Sequence, residues 1–232
     1  MSFRGRLSLK FFQAIALAAC ALQLNALPQS ASPPGSGTHT SSLRARSTES
    51  SLDAGRVSAG VYRNPSFGFT CKIPAGWVVR TEEMNARDDK GANSNNEAAK
   101  DSGKSGHVLL AAFSRPPEAR AEDVNGSILI AAESAAAYPG LKDAAQYFGP
   151  VTEVAKAQGF EMDDEPYEFA VGTKVVVRGD FQKDVGSRVM RQSTLVMLAR
   201  GYVVSFTFIG GTEDEVEGLV QGLSFQPAAL KK

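Results

Sequence analysis

Few side chains in this sequence have the type and spacing to do chemistry. Arg178, Arg188 and Arg191 fall on one predicted hairpin, where an exposed face carrying Arg178 and Arg188 would suit an anionic partner. With the turn centred near 185 to 186, Asp180 is expected opposite Arg191 as a cross-strand ion pair. Asp163-Asp164-Glu165 could recruit a cation weakly, but the sequence places no second acidic cluster beside it. Gly103-Lys104-Ser105 has the tail of a phosphate-binding loop without its leading glycine, since position 98 is Ala98, and a strand follows where a helix is needed. Asp88 to Asn93, with Glu97, offers oxygen ligands but not the alternating spacing of a calcium loop. His107 lies at a loop-to-strand junction with no nucleophile motif near it. Cys71 is in phase with Phe69 and Ile73, which predicts a buried, unreactive thiol. No Ser/His/Asp, paired-carboxylate or Cys/His set stands above chance. The expectation is a binding protein without cofactor or metal, not an enzyme.

Composition narrows the class further. The 232 residues carry 25 Lys+Arg against 25 Asp+Glu, with 43% hydrophobic and 22% charged. Those values exclude collagen-like, coiled-coil, wholly disordered and multi-pass membrane chains. A zero net charge provides no excess of cations to displace counterions, so nucleic acid is not expected as a partner.

Arg4, Arg6 and Lys10 precede an apolar run from Phe11 to Leu27, broken only by Gln13, Gln23 and Asn25. A short basic region and a short apolar one predict an export signal over residues 1–27, because a membrane span needs about 20 apolar residues. Leu17-Ala18-Ala19-Cys20 is similar to a bacterial lipobox, which would make Cys20 a lipidated first residue. The alternative is ordinary cleavage after Ala26 or Ala31, which discards Cys20. Any membrane contact is expected only through a lipid on Cys20, since no polybasic patch is present. Residues 28–58 are rich in Ser, Pro and Gly and read as a flexible linker. A globular domain is expected over 59–227, with a short tail at 228–232.

Strands are predicted at Val61-Tyr62, Phe67 to Ile73, Trp77 to Val79, Val108 to Phe113 and Ser127 to Ala132. A helical period runs from Leu141 to Gln158, interrupted at Gly149-Pro150, with Pro150 expected at the first position of its second half. Three strands follow, at Lys174 to Phe181, Val189 to Ala199 and Tyr202 to Ile209. Thr212 and Glu215 then cap a helix whose buried stripe is Val216, Leu219, Val220 and Leu223. One antiparallel sheet covered by helices is the natural closure.

Tyr62-Arg63-Asn64-Pro65-Ser66-Phe67-Gly68-Phe69, followed by Ile73-Pro74-Ala75-Gly76-Trp77, resembles the opening of the PsbP-like and Mog-type superfamily. The closing Tyr202-Val203-Val204-Ser205-Phe206 strand and the capped helix ending on Gly222-Leu223-Ser224-Phe225 resemble it too. The resemblance implies an α+β fold, an α/β/α sandwich around a central antiparallel sheet. It also implies a binding or assembly role, as in plant photosystem II subunits and in a yeast factor that binds a small GTPase. Pro74, Gly76 and Trp77 carry over as fold determinants only, and no functional residue transfers. The expected role is therefore an exported accessory domain binding an envelope protein. A periplasmic small-ligand carrier, with a groove between the sheet and the helix at Leu141 to Gln158, is the alternative.

Overall fold

The computed structural model describes residues 52–86, 106–116 and 123–225. The predicted signal with Cys20, the polar stretch from Asp88 to Glu97 and Gly103-Lys104-Ser105 lie outside the described residues.

Alternating apolar residues and tight turns fold the chain into two antiparallel sheets. The smaller has the order β1 (Arg56–Ser58), β2 (Val61–Asn64), β3 (Phe69–Lys72), β12 (Leu223–Phe225). The larger runs β4 (Val78–Val79), β5 (Gly106–Phe113), β6 (Ser127–Ser134), β11 (Tyr202–Gly210), β10 (Arg188–Ala199), β9 (Lys174–Val185), β7 (Glu161–Met162). A further strand, β8 (Tyr167–Val171), also pairs with β9. Between β3 and β4 the chain reverses at Pro74-Ala75-Gly76-Trp77, where Gly76 has φ +83° and the Trp77 amide donates to the Pro74 carbonyl at 3.3 Å. Only glycine adopts that φ cheaply, which accounts for the residue at this turn.

Side chains alternate across the large sheet, so its two faces build separate cores. Leu195 and Met197 join Phe206 and Phe208 beneath the small sheet's Tyr62, Phe69 and Cys71. Helix α2 (Glu213–Val220) closes this core with Val216, Leu219 and Val220, while Leu223, read from the sequence as part of the same stripe, is buried in β12. On the other face Val196 and Val203 pack against Phe148, Val151 and Val154 of helix α1 (Phe148–Ala157). The result is an α+β fold with helices on both faces of an antiparallel sheet. Cys71 is fully buried and desolvation pushes its thiol up to about 12, so the thiol is unreactive as expected.

Three expectations are corrected. The folded unit starts before residue 59, because β1 lies within the predicted linker. Tyr62 Oη donates to the Ala54 carbonyl at 2.8 Å and Asn64 Nδ2 to the Asp53 carbonyl at 2.9 Å, which ties 53–54 to the domain. The helical stretch expected from Leu141 with a break at Gly149-Pro150 starts later and breaks earlier: a 3-10 turn occupies Ala145–Tyr147, and α1 begins at Phe148 with Pro150 third. A proline without an N–H is tolerated only in the first turn, so the helix cannot extend far upstream of it. The expected ligand groove beneath this helix is filled. A Cβ at Gly179 would come within 2.5 Å of Phe148 Cε1, so ring and strand already touch there.

Candidate functional site

The most chemically loaded place among the described residues is a cleft of about 410 Å³ between α2 and the strands β8, β9 and β10. Its construction begins at the cap of α2. The Glu215 amide donates to Thr212 Oγ1 at 3.2 Å, and the Glu215 carboxylate accepts from the Gly211 amide at 2.7 Å. That fixes the start of the helix and presents Glu213 and Glu217, four residues apart, along one side.

Beneath the helix, Arg178 of β9 is only 6% exposed. Its Nε donates to Asp180 Oδ1 and Oδ2 at 3.0 and 3.1 Å, and its Nη2 pairs with Glu217 Oε1. The guanidinium also lies 4.9 Å from the centre of the Phe169 ring, a cation–π contact. Burial works to lower its pKa, but the bonds to Glu217 and Asp180 outweigh it, so the group is held firmly charged. Tyr167, 43% exposed, donates its hydroxyl to Asp180 Oδ2 at 2.9 Å. Desolvation and that bond push the phenol up to about 12, so it remains a neutral aromatic face.

The turn between β7 and β8 provides the third wall. The Asp163 amide donates to the Asp180 carbonyl at 3.0 Å, which brings Asp163 and Asp164 alongside β9. Desolvation raises the Asp163 pKa most, and Asp180, Asp164 and Glu213 add to the rise while Arg191 opposes it. Asp163, Asp164, Asp180, Glu213 and Glu217 thus face Arg178 and Arg191 across one cleft. Since Arg178 is already bonded to two carboxylates, the site keeps an excess of negative charge and an exposed aromatic ring. That chemistry suits a guanidinium or ammonium group. Among the described residues no group of His, Cys, Asp and Glu is arranged to hold a metal ion.

The two arginines read as a partner face do not share one. Cross-strand neighbours lie on the same face, and Arg188 sits opposite Val185, an odd number of residues along β9 from Arg178. Arg178 is buried in the cleft wall, and Arg188 is exposed at the hairpin tip on the other face. Asp180 lies opposite Ser193, and Arg191 opposite Gln182, so the predicted Asp180–Arg191 pair is replaced by Arg178–Asp180 within β9. His107 is in β5 opposite Ala132, away from the cleft elements. Glu213, Glu217 and Tyr167 were not foreseen as site residues. The apolar alternation Tyr167, Phe169, Val171 was the one signal that could have revealed β8.

The chain folds as an antiparallel α+β domain with a cleft lined by carboxylates and arginines. No protein-family model matches the chain, and no curated protein matches it. The chain is similar to the solution structure of cyanobacterial PsbP from Synechocystis sp. PCC 6803, with 15% identity, 78% of this chain and 98% of that one covered, and a TM-score of 0.41. It is similar to the Ran-binding protein Mog1p of Saccharomyces cerevisiae, with 11% identity, 68% and 90% covered, and a TM-score of 0.37. It is also similar to LpqN, involved in cell envelope biogenesis of Mycobacterium tuberculosis, with 12% identity, 68% and 83% covered, and a TM-score of 0.34. The PsbP-like and Mog-type proteins that the opening and closing motifs resemble are thus among the solved structures matched.

Proposed function

We propose that this chain is an exported, non-enzymatic accessory domain that holds a basic segment of an envelope protein in the cleft between α2 and β8–β10. The observation that carries the reading is the convergence of five carboxylates, from the 163–164 turn, β9 and α2, on one cleft. Gathering charge of one sign at a single place is unfavourable, even with Asp163, Asp164 and Glu213 exposed to solvent, and a group of the other sign relieves it. Arg178 offsets part of that excess from within. A lysine or arginine side chain from a partner would offset more, with Tyr167 as a flat surface for it. The basic and apolar residues of 1–27 support the export part of this reading. A lipid on Cys20 would tether the domain and leave the cleft free.

The linkage has a defined sign. A cation in the cleft would pull the Asp163 pKa down from its raised position. Binding would then release a proton, and affinity would rise with pH through the Asp163 titration range. Added salt would weaken it, since the carboxylates are partly solvated.

The test uses a C-terminally tagged full chain and its Asp163→Lys/Glu213→Lys variant, each cross-linked in intact cells and recovered for mass spectrometry. One envelope protein recovered in near-equal amount with the parent chain, and at least tenfold less with the variant, is the expected result. Equal recovery with both chains would sink the proposal. A second reading is favoured by the cleft's 410 Å³, which falls within the roughly 300–1,000 Å³ of small-molecule pockets. No stoichiometric partner, together with a saturable rise in melting temperature on adding a polyamine, would establish that reading instead.

A further inference from the structure

Among the described residues one buried carboxyl lies outside the cleft. Glu133, near the end of β6, is 3% exposed and lies on the α1 face of the large sheet. Its backbone is held on both sides, opposite Gly106 of β5 and Val203 of β11. Its two carboxylate oxygens accept from two tyrosines of the connection that leads to α1. Tyr147 Oη donates to Oε1 at 2.5 Å, and Tyr138 Oη donates to Oε2. The two rings meet edge to face at 5.1 Å.

The other hydrogen bonds of this connection are almost all local. Tyr138 N bonds to the Ala135 carbonyl, Leu141 N to the Tyr138 carbonyl, and Gln146 N to Asp143 Oδ1. At its start, Ala135 N reaches the Gly201 carbonyl at 2.9 Å. Beyond that point, among the described residues, the two phenols tie the connection to the sheet. We propose that Glu133, Tyr138 and Tyr147 form a proton-operated latch that holds the 138–147 connection on the sheet and loosens it as pH rises.

Among the described residues no cation acts on the carboxylate. Its cross-strand neighbours, Gly106 and Val203, do not titrate, and His107 alternates to the other face opposite Ala132. On α1, Glu153 and Lys156 are exposed to solvent. Among the described residues Tyr138 and Tyr147 are the titratable groups that act on Glu133. Desolvation raises its pKa above the ordinary 4.5, and the two tyrosine bonds only partly reverse this. For an acid shifted upward, the hold is complete below the ordinary value and is lost as pH climbs through the raised one. Once ionised, the carboxylate gains by opening to water, and opening releases both phenols.

Tyr147 immediately precedes Phe148, the ring that touches Gly179 between Arg178 and Asp180 of β9. Release would therefore slacken the support directly behind the cleft strand.

Amide hydrogen exchange of 138–147 in the whole protein, corrected for intrinsic exchange, reads the latch directly. In the parent chain, opening should rise by up to tenfold per pH unit between the ordinary carboxyl value and the raised Glu133 value, and level off above it. In Glu133→Gln, which keeps an acceptor and cannot ionise, opening should be independent of pH. Tyr147→Phe removes a donor that favours the charged form, so its pH response should remain present and extend to a higher pH before levelling off. Should Glu133→Gln fail to fold, that shift in Tyr147→Phe decides the matter. Equal pH dependence in the parent and Glu133→Gln, or an unmoved response in Tyr147→Phe, would overturn the proposal.

Discussion

Arg178→Met should lower the unfolding free energy by about 2–4 kcal/mol, read as a shift in denaturant midpoint. The loss has two parts. Three hydrogen bonds and the contact with Phe169 disappear. More important, Asp180 and Glu217 are left near one another without the cation that separates them. Both carboxylates keep some solvent contact, which is why the cost stays below that of a fully buried orphaned charge. The same variant separates bracing from binding. It makes the cleft more negative, so if it stays folded its affinity for a basic peptide should not fall. A loss of stability under 1 kcal/mol would show that Arg178 does not brace the cleft.

Phe206→Ala should cost about 3–5 kcal/mol, a large share of the roughly 5–15 kcal/mol that stabilises a domain. Phe206 is fully buried on β11, where its ring meets Phe69 edge-on at 4.9 Å and Phe225 at 6.0 Å. Those contacts join the large sheet to both β3 and β12 of the small one. Truncation would leave a cavity at the seam between the sheets, and neither sheet can collapse to fill it without breaking the pairing of β12 with β3. Melting followed at two wavelengths, one sensitive to aromatic packing, should show a single transition at lower temperature. An unchanged midpoint would contradict the role given to this seam.

The parts of the fold legible in the sequence are those set by local alternation and capping. Phe69 and Cys71 are buried in step, Thr212 caps α2, and its stripe faces the core. Tertiary register was less legible. Centring the β9–β10 turn one residue too early moves every cross-strand pair by two places. That shift is why Asp180 meets Ser193 and not Arg191. The cleft was hidden for a related reason. Asp163 and Glu213 are far apart in sequence, and only the stacking of β7 on β9 under α2 brings them together. The stretch from Leu141 to Tyr147 continues the apolar period of α1, whereas Pro150 and the two tyrosine bonds to Glu133 decide where α1 can begin.

The most direct test of the cleft as a cation-binding surface is an amide chemical-shift titration of the nitrogen-15-labelled protein. The probe is a short peptide of alternating arginine and glycine at low salt. Saturable shifts should cluster at 163–167, 178–180, 191 and 213–217, shrink at about 0.5 M salt, and be absent with the aspartate counterpart. Shifts spread over the α1 face, equal shifts with the aspartate peptide, or no saturation at low salt would contradict the account.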